Sequence, residues 1–141
     1  MRLLSQLFKA GVRANRYARR EKARIEYFNW RWNKLRNIHQ LLVKDMLQPL
    51  EPFLNKMSSN EYIKLKEYIQ DMDDWRDEIN SHINDATQNH LSRYATAIKK
   101  VAMKSMKLCK KYRVYSDIQS IEYVASEKAL YLNGKNHYTF T

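Results

Sequence analysis

Residues 25–46 read IEYFNWRWNKLRNIHQLLVKDM, and alternating steps of three and four from Ile25 reach Phe28, Trp32, Leu35, His39, Leu42 and Met46. The same phase taken backwards passes Glu21, Ala18, Ala14, Gly11, Leu7 and Leu4. A 3.5-residue repeat sustained this far predicts one long helix over 1–47 whose seam packs on another helix. The N-terminal half of the seam is small and permits close backbone approach, whereas the C-terminal half is bulky. His39 sits within it, where a polar residue fixes register or partner choice. Pro49 and Pro52 lack an N–H and restrict the residue before them, so the helix is expected to stop there.

Ser58, Ser59, Asn60 and Glu61 form an S-x-x-E capping box, which predicts a new helix from Ser58. Its stripe is Tyr62, Leu65, Ile69, Met72, Arg76, Ile79 and Ile83, and a second stripe runs through Leu91, Tyr94, Ile98, Val101, Ser105, Leu108 and Tyr112. The steps Ile83, Thr87, Leu91 read as a stutter in one continuous helix over 58–113, the alternative being a break at 84–89. With no Gly or Pro in that interval, continuity is the preferred reading. After Arg113, Asn133-Gly134 between Leu130-Tyr131-Leu132 and His137-Tyr138-Thr139-Phe140 predicts a β-hairpin within 116–141. A three-residue loop would put Leu130, Tyr138 and Phe140 on one face. The competing reading is a short helix capped by Gly134. The expected architecture is therefore a mainly α single domain over 1–141. It is a long antiparallel helical hairpin, coiled-coil-like, with a small C-terminal β-hairpin.

The composition agrees with this class. Two glycines and two prolines in 141 residues disfavour β-sandwich and Rossmann-type folds. The lone Cys109 cannot form an internal disulfide, and no cysteine pair has zinc-ligand spacing, so a cytoplasmic location is expected. No apolar run is long enough to cross a membrane. The Arg-rich, acid-free start resembles a mitochondrial presequence in composition, but its helical phase continues into the rest of the chain.

Charge is distributed unevenly. Residues 1–44 hold 12 basic and 2 acidic side chains, 45–90 hold 4 and 10, 91–115 hold 8 and none, and 116–141 hold 2 and 3. If the first helix folds back near residue 54, position i lies near 108 − i. An acidic stretch then faces residues 20–44, while residues 1–17 and 91–107 concentrate like charge at one end. Such repulsion is tolerated on a solvated face or where a polyanion sits.

The stripe Arg13, Tyr17, Arg20, Arg24, Tyr27, Arg31 and Lys34, with Arg16 beside it, places guanidinium groups and tyrosines at helical spacing. Guanidinium binds phosphate bidentately and tyrosine stacks on exposed bases, so these residue types suit nucleic acid. The alternative is a solvated face paired with Asp71, Asp74 or Asp77. Lys100, Lys104 and Lys107 belong to a second basic run, and lysines near its end also complement a helix dipole. Trp30, Trp32 and His39 are the expected partner-interface residues.

Asp71, Asp74, Glu78, His82 and Asp85 share a helix face but lack the spacing of inward di-iron ligands, so no metal or other cofactor is expected. No nucleophile elbow, Walker loop, zincin or paired C-x-x-C motif occurs, so the chain reads as a non-enzyme. The first functional reading is low-specificity contact with nucleic acid phosphates. The second is a protein-interaction module, an assembly, scaffold or inhibitory factor docking on an acidic or nucleic-acid-handling partner. Short basic helical chains without catalytic motifs are common among accessory proteins of phages and mobile elements, which widens this reading by association only. A third, weaker reading lays Leu3, Leu4, Leu7 and Phe8 on a membrane surface. A single seam buries little core, so a homodimer or a stable hetero-complex is expected.

Overall fold

A computed structural model describes the backbone of residues 2–140 and the side chains of residue 9 and residues 11–140. Leu3, Leu4, Leu7 and Phe8, assigned above to the seam or to a membrane surface, lie outside the described side chains. Helix α1 spans Arg2–Leu42, followed by a π-helical turn at Val43–Leu47, a short α2 at Gln48–Leu50 and a 3₁₀ segment at Glu51–Lys56. Then come α3 (Ser59–Ser81), α4 (Gln88–Lys111) and strands β1 (Ile121–Val124), β2 (Ala129–Leu132) and β3 (Lys135–Thr139). The chain forms two compact units, 1–31 and 32–141.

In the first unit the small residues of the seam, Gly11, Ala14 and Ala18, are exposed, as is Ile25, while Phe28 is buried. In the second unit the seam is buried as its spacing predicts, with Trp32, Leu35, His39, Leu42 and Met46 all inside. The prolines distort the helix rather than end it. Pro49 has no N–H to offer the Asp45 carbonyl four residues back, and the Ser116 hydroxyl donates to that carbonyl instead. The helical course persists to Lys56, and Met57 (φ −73°, ψ 149°) turns the chain out of it.

The expectation of one helix over 58–113 is corrected. α3 ends at Ser81, a tight turn is held by Asp85 N–H to His82 O (2.9 Å), and α4 starts after Thr87. The interval is rich in Ser, Asn, Asp and Thr, whose side chains offer backbone groups alternatives to helical pairing. His90 takes the place that Glu holds in a capping box, its Nδ1 accepting the Thr87 N–H at 2.9 Å. An imidazole can serve as that acceptor without a charge.

The break turns α4 back along α3. Lys111 Nζ reaches Glu61 Oε2 (2.9 Å) at one end, and Trp75 meets His90 edge-on (6.3 Å) toward the other. Residues 94–105 consequently lie against 32–46, with Tyr94 on Trp32 and His39 and Ser105 on Met46 (3.9 Å). The unbroken hairpin expected from the sequence gives way here to a packing of α4 on 32–46 within the second unit. His39 meets Asp73 about one turn beyond the position that the fold-back rule gives. α4 is the central helix, burying Leu91, Tyr94, Ala95, Ile98, Val101, Ala102, Ser105, Leu108 and Cys109. Each fully buried Leu or Ile there contributes roughly 1.5–3 kcal/mol of transfer free energy.

The C-terminal hairpin forms and gains a third strand, giving an antiparallel sheet in the order β1-β2-β3. Its loop has two residues rather than three. Leu132 pairs with Lys135, and Asn133 (φ 52°) and Gly134 (φ 76°) both take the left-handed conformation of a type I′ turn. A register shift follows, so that Leu130 pairs with Tyr138 instead of His137. That extra residue brings Tyr138 to the buried side, onto which Phe140 packs at 5.0 Å.

Asn133 also ties this hairpin to the chain before β1. Its Oδ1 accepts from Gln119 N (2.7 Å) and Ser120 N (3.2 Å), and its Nδ2 donates to Asp117 O (3.0 Å). Asn133→Ala should therefore cost about 1–3 kcal/mol in denaturant unfolding, through lost bonds and a strained left-handed residue. Asn133→Gly, which restores the φ but not the bonds, should recover only part of that loss.

Candidate functional site

Three groupings of polar side chains emerge: a buried joint at His39, the arginines of α1 and the lysine face of α4. The joint is made by residues from three helices. His39 is 2% exposed, and its Nδ1 lies 2.6 Å from the Tyr94 hydroxyl, with Nε2 3.1 Å from Asp73 Oδ1. Arg76 borders it, with Nη1 3.4 Å from His39 Nε2 and Nε 3.0 Å from Asp77. Both ring nitrogens are satisfied when the tyrosine donates to Nδ1 and Nε2–H donates to the carboxylate. The opposite tautomer would aim a lone pair at Asp73.

Burial, reinforced by the Arg76 guanidinium and opposed by Asp73, lowers the pKa of His39 below that of a free imidazole. Burial raises that of Tyr94, which stays a donor. Glu61, which closes the α3–α4 hairpin, is pushed down to about 2, first by the Lys111 ammonium and then by the Ser58 N–H and Tyr112 hydroxyl. Burial pushes the Cys109 thiol up, away from the thiolate that nucleophilic chemistry needs.

Trp32 and His39 are thus used inside the chain, which corrects their assignment to a partner interface. Trp30 is 53% exposed and stacks on Tyr27 at 6.3 Å. Arg31 is 3% exposed with its guanidinium 5.8 Å from the Tyr27 ring centre, so it is not available to a polyanion as the stripe suggested.

The remaining arginines behave differently. Arg13, Arg16, Arg19 and Arg20 are exposed and, among the described residues, form no ion pair; Tyr17 between them is 70% exposed. Arg24 is tied to Glu21 in a two-point ion pair. Asp73 and Asp77 pair with His39 and Arg76. Lys34 is exposed and lies in the second unit.

On α4, Lys100, Lys104 and Lys107 lie with Lys99 and Lys110 around a groove of about 610 Å³. Met103 and Met106, with Tyr68 of α3 and Ile121 of β1, supply its apolar lining. The lysines were legible as a basic run. The groove was not, because it exists only once α4 folds back between α3 and β1. The signal that could have found it is the spacing of Lys99, Met103, Met106 and Lys110, an amphiphilic stripe on a helix with no acid.

Among the described residues, no group of three or more His, Cys, Asp and Glu could hold a metal, and no helix is long and apolar enough to cross a membrane. No family model, curated protein or solved structure matches the chain.

The lowered His39 value gives stability a defined pH sign. An unfolded histidine takes up a proton as pH falls through about 6.5, while the folded imidazole resists it. The folded state therefore loses stability below that pH, and loses more as Glu61 protonates between the ordinary carboxylate value of 4.5 and about 2. Thermal unfolding should show Tm falling from pH 7.5 to 5.5, and His39→Gln should flatten that part of the profile. Equal slopes in both proteins would show that other groups carry it.

Proposed function

We propose that the chain is a non-enzymatic nucleic-acid-binding protein that contacts phosphates through α1 with little sequence preference. The observation that carries this reading is the exposed cluster Arg13, Arg16, Arg19 and Arg20 around Tyr17. A solvated structural face is ordinarily laced with acids at i, i+3 or i+4, and here the first acid is Glu21. Four unopposed guanidinium groups on two turns set up a field that a phosphate backbone neutralises while releasing its own counterions. Tyr17 and the Tyr27–Trp30 stack offer aromatic faces of the kind on which unpaired bases stack. Lys100, Lys104 and Lys107 form a separate basic surface within the 32–141 unit. The regular helical stripe lies along phosphates rather than presenting a few side chains to base edges, so affinity is expected to depend on salt more than on sequence.

With about six phosphates neutralised, the logarithm of the binding constant for a labelled oligonucleotide should fall with a slope near −5 against log salt. The triple variant Arg13→Glu, Arg16→Glu and Arg20→Glu should lower affinity by about 100-fold or more at ~50 mM salt. Its helical circular dichroism should remain, because all three side chains are exposed. Arg31 is left out of the set because it is buried and its reversal would test folding. Unchanged affinity in the triple variant would end this reading.

A further inference from the structure

The groove over α4 has a property that phosphate binding does not use. Lys100, Lys104, Lys107 and Lys110 have no acidic partner among the described residues, and the Lys99 ammonium sits over the Tyr123 ring at 3.3 Å. Between these cations Met103 is 41% exposed, and Met106, Ile121 and Tyr68 continue the apolar lining. A surface that serves only as a counter-charge gains nothing from an exposed thioether in its centre, where hydration of the apolar side chain costs free energy.

Methionine linings adapt to the shape of an inserted side chain, and lysine stems extend the apolar wall while their ammonium groups stay in water. From Lys99 to Lys110 the groove follows α4 for about 17 Å, or three helical turns. The complement of this surface is a helix with apolar residues at i, i+4 and i+7 flanked by Asp and Glu. α3 of a second copy does not provide it: its acidic face, with Glu67, Asp71, Asp74 and Glu78, carries one exposed aliphatic residue, Ile63, rather than a stripe, since Leu65, Met72 and Ile79 are buried in the chain's own core.

We infer that the groove formed by α3, α4 and β1 is a docking site for an acidic amphipathic helix of a partner protein, its apolar side chains on Met103 and its carboxylates on the surrounding lysines. This site shares no residue with the α1 arginine cluster, so each can fail without the other.

The probe is a labelled synthetic helical peptide of about four turns, with Leu at i, i+4, i+7 and i+11 and Glu beside them, titrated with the full chain by fluorescence anisotropy. A control peptide carries Ser at the four Leu positions and the same charge. The Leu peptide should bind about tenfold or more tightly than the control. Met103→Glu should remove that advantage, Lys104→Ala with Lys107→Ala should weaken binding and its salt dependence, and Arg13→Glu with Arg16→Glu should leave it unchanged. Circular dichroism checks that Met103→Glu stays folded, and Met103→Ser serves as a second, milder variant. Equal binding of both peptides, or displacement of the Leu peptide by duplex DNA with Arg13 and Arg16 reversed, would overturn the proposal in favour of a charge-only surface. Self-association in sedimentation that Met103→Glu abolishes would overturn it in favour of a second copy.

Discussion

A neutral imidazole held between a tyrosine hydroxyl and a carboxylate is the joint on which the 32–141 unit depends. His39 comes from α1, Asp73 from α3 and Tyr94 from α4, so one side chain with two ring nitrogens fixes three helices. Placing a polar group at almost complete burial is costly unless every donor and acceptor is matched. Here the matching needs one tautomer and one register, and a slip of α4 by a single residue would leave Nδ1 without a donor. Trp32, whose ring lies 5.7 Å from that of Tyr94, packs the same junction about two turns before His39. The apolar seam supplies most of the free energy. The joint selects which packing of that seam forms.

The joint also determines what is left for the surface. Because Tyr94 must meet His39, α4 runs back along α3, and its core side takes every large aliphatic residue it has except Met103. The lysines are then displayed together on the outer side, where a helix without acids has nothing of its own to offset them. Repulsion among them opposes folding, and the tight closure at Glu61, which accepts from Lys111, Tyr112 and Ser58, opposes it in turn. In the 1–31 unit Arg13, Arg16, Arg19 and Arg20 are exposed on a helix whose small seam residues are exposed as well, whereas Arg31 is buried.

Much of this could be read in the residues alone, and the failures have physical causes. The seam from Trp32 to Met46 and the α4 stripe from Leu91 to Leu108 are plain in the periodicity because apolar burial dictates both. The Ser58–Glu61 cap is legible because its chemistry is local. The break at 82–87 is less so: it uses neither Gly nor Pro, and its cap employs His90 where the familiar pattern has Glu. The hairpin was announced by Asn133-Gly134, but the third strand required Asn133 to bond residues 117–120, a contact that spacing does not reveal. Arg31 shows the limit of reading a face by helical spacing, since it shares a stripe with exposed arginines and is itself buried. The α4 groove, built from three elements, could not be seen until their packing was known.

The most direct test of the joint is the protonation pattern of the His39 ring, read by long-range proton–nitrogen correlation on nitrogen-15-labelled protein near neutral pH. The account requires a single, slowly exchanging tautomer with Nδ1 bare and accepting from Tyr94 and Nε2 carrying the proton toward Asp73. Replacement of Tyr94 by Phe should shift the Nδ1 resonance more than any other histidine signal. A protonated Nδ1, or an averaged spectrum like that of an exposed histidine, would contradict it.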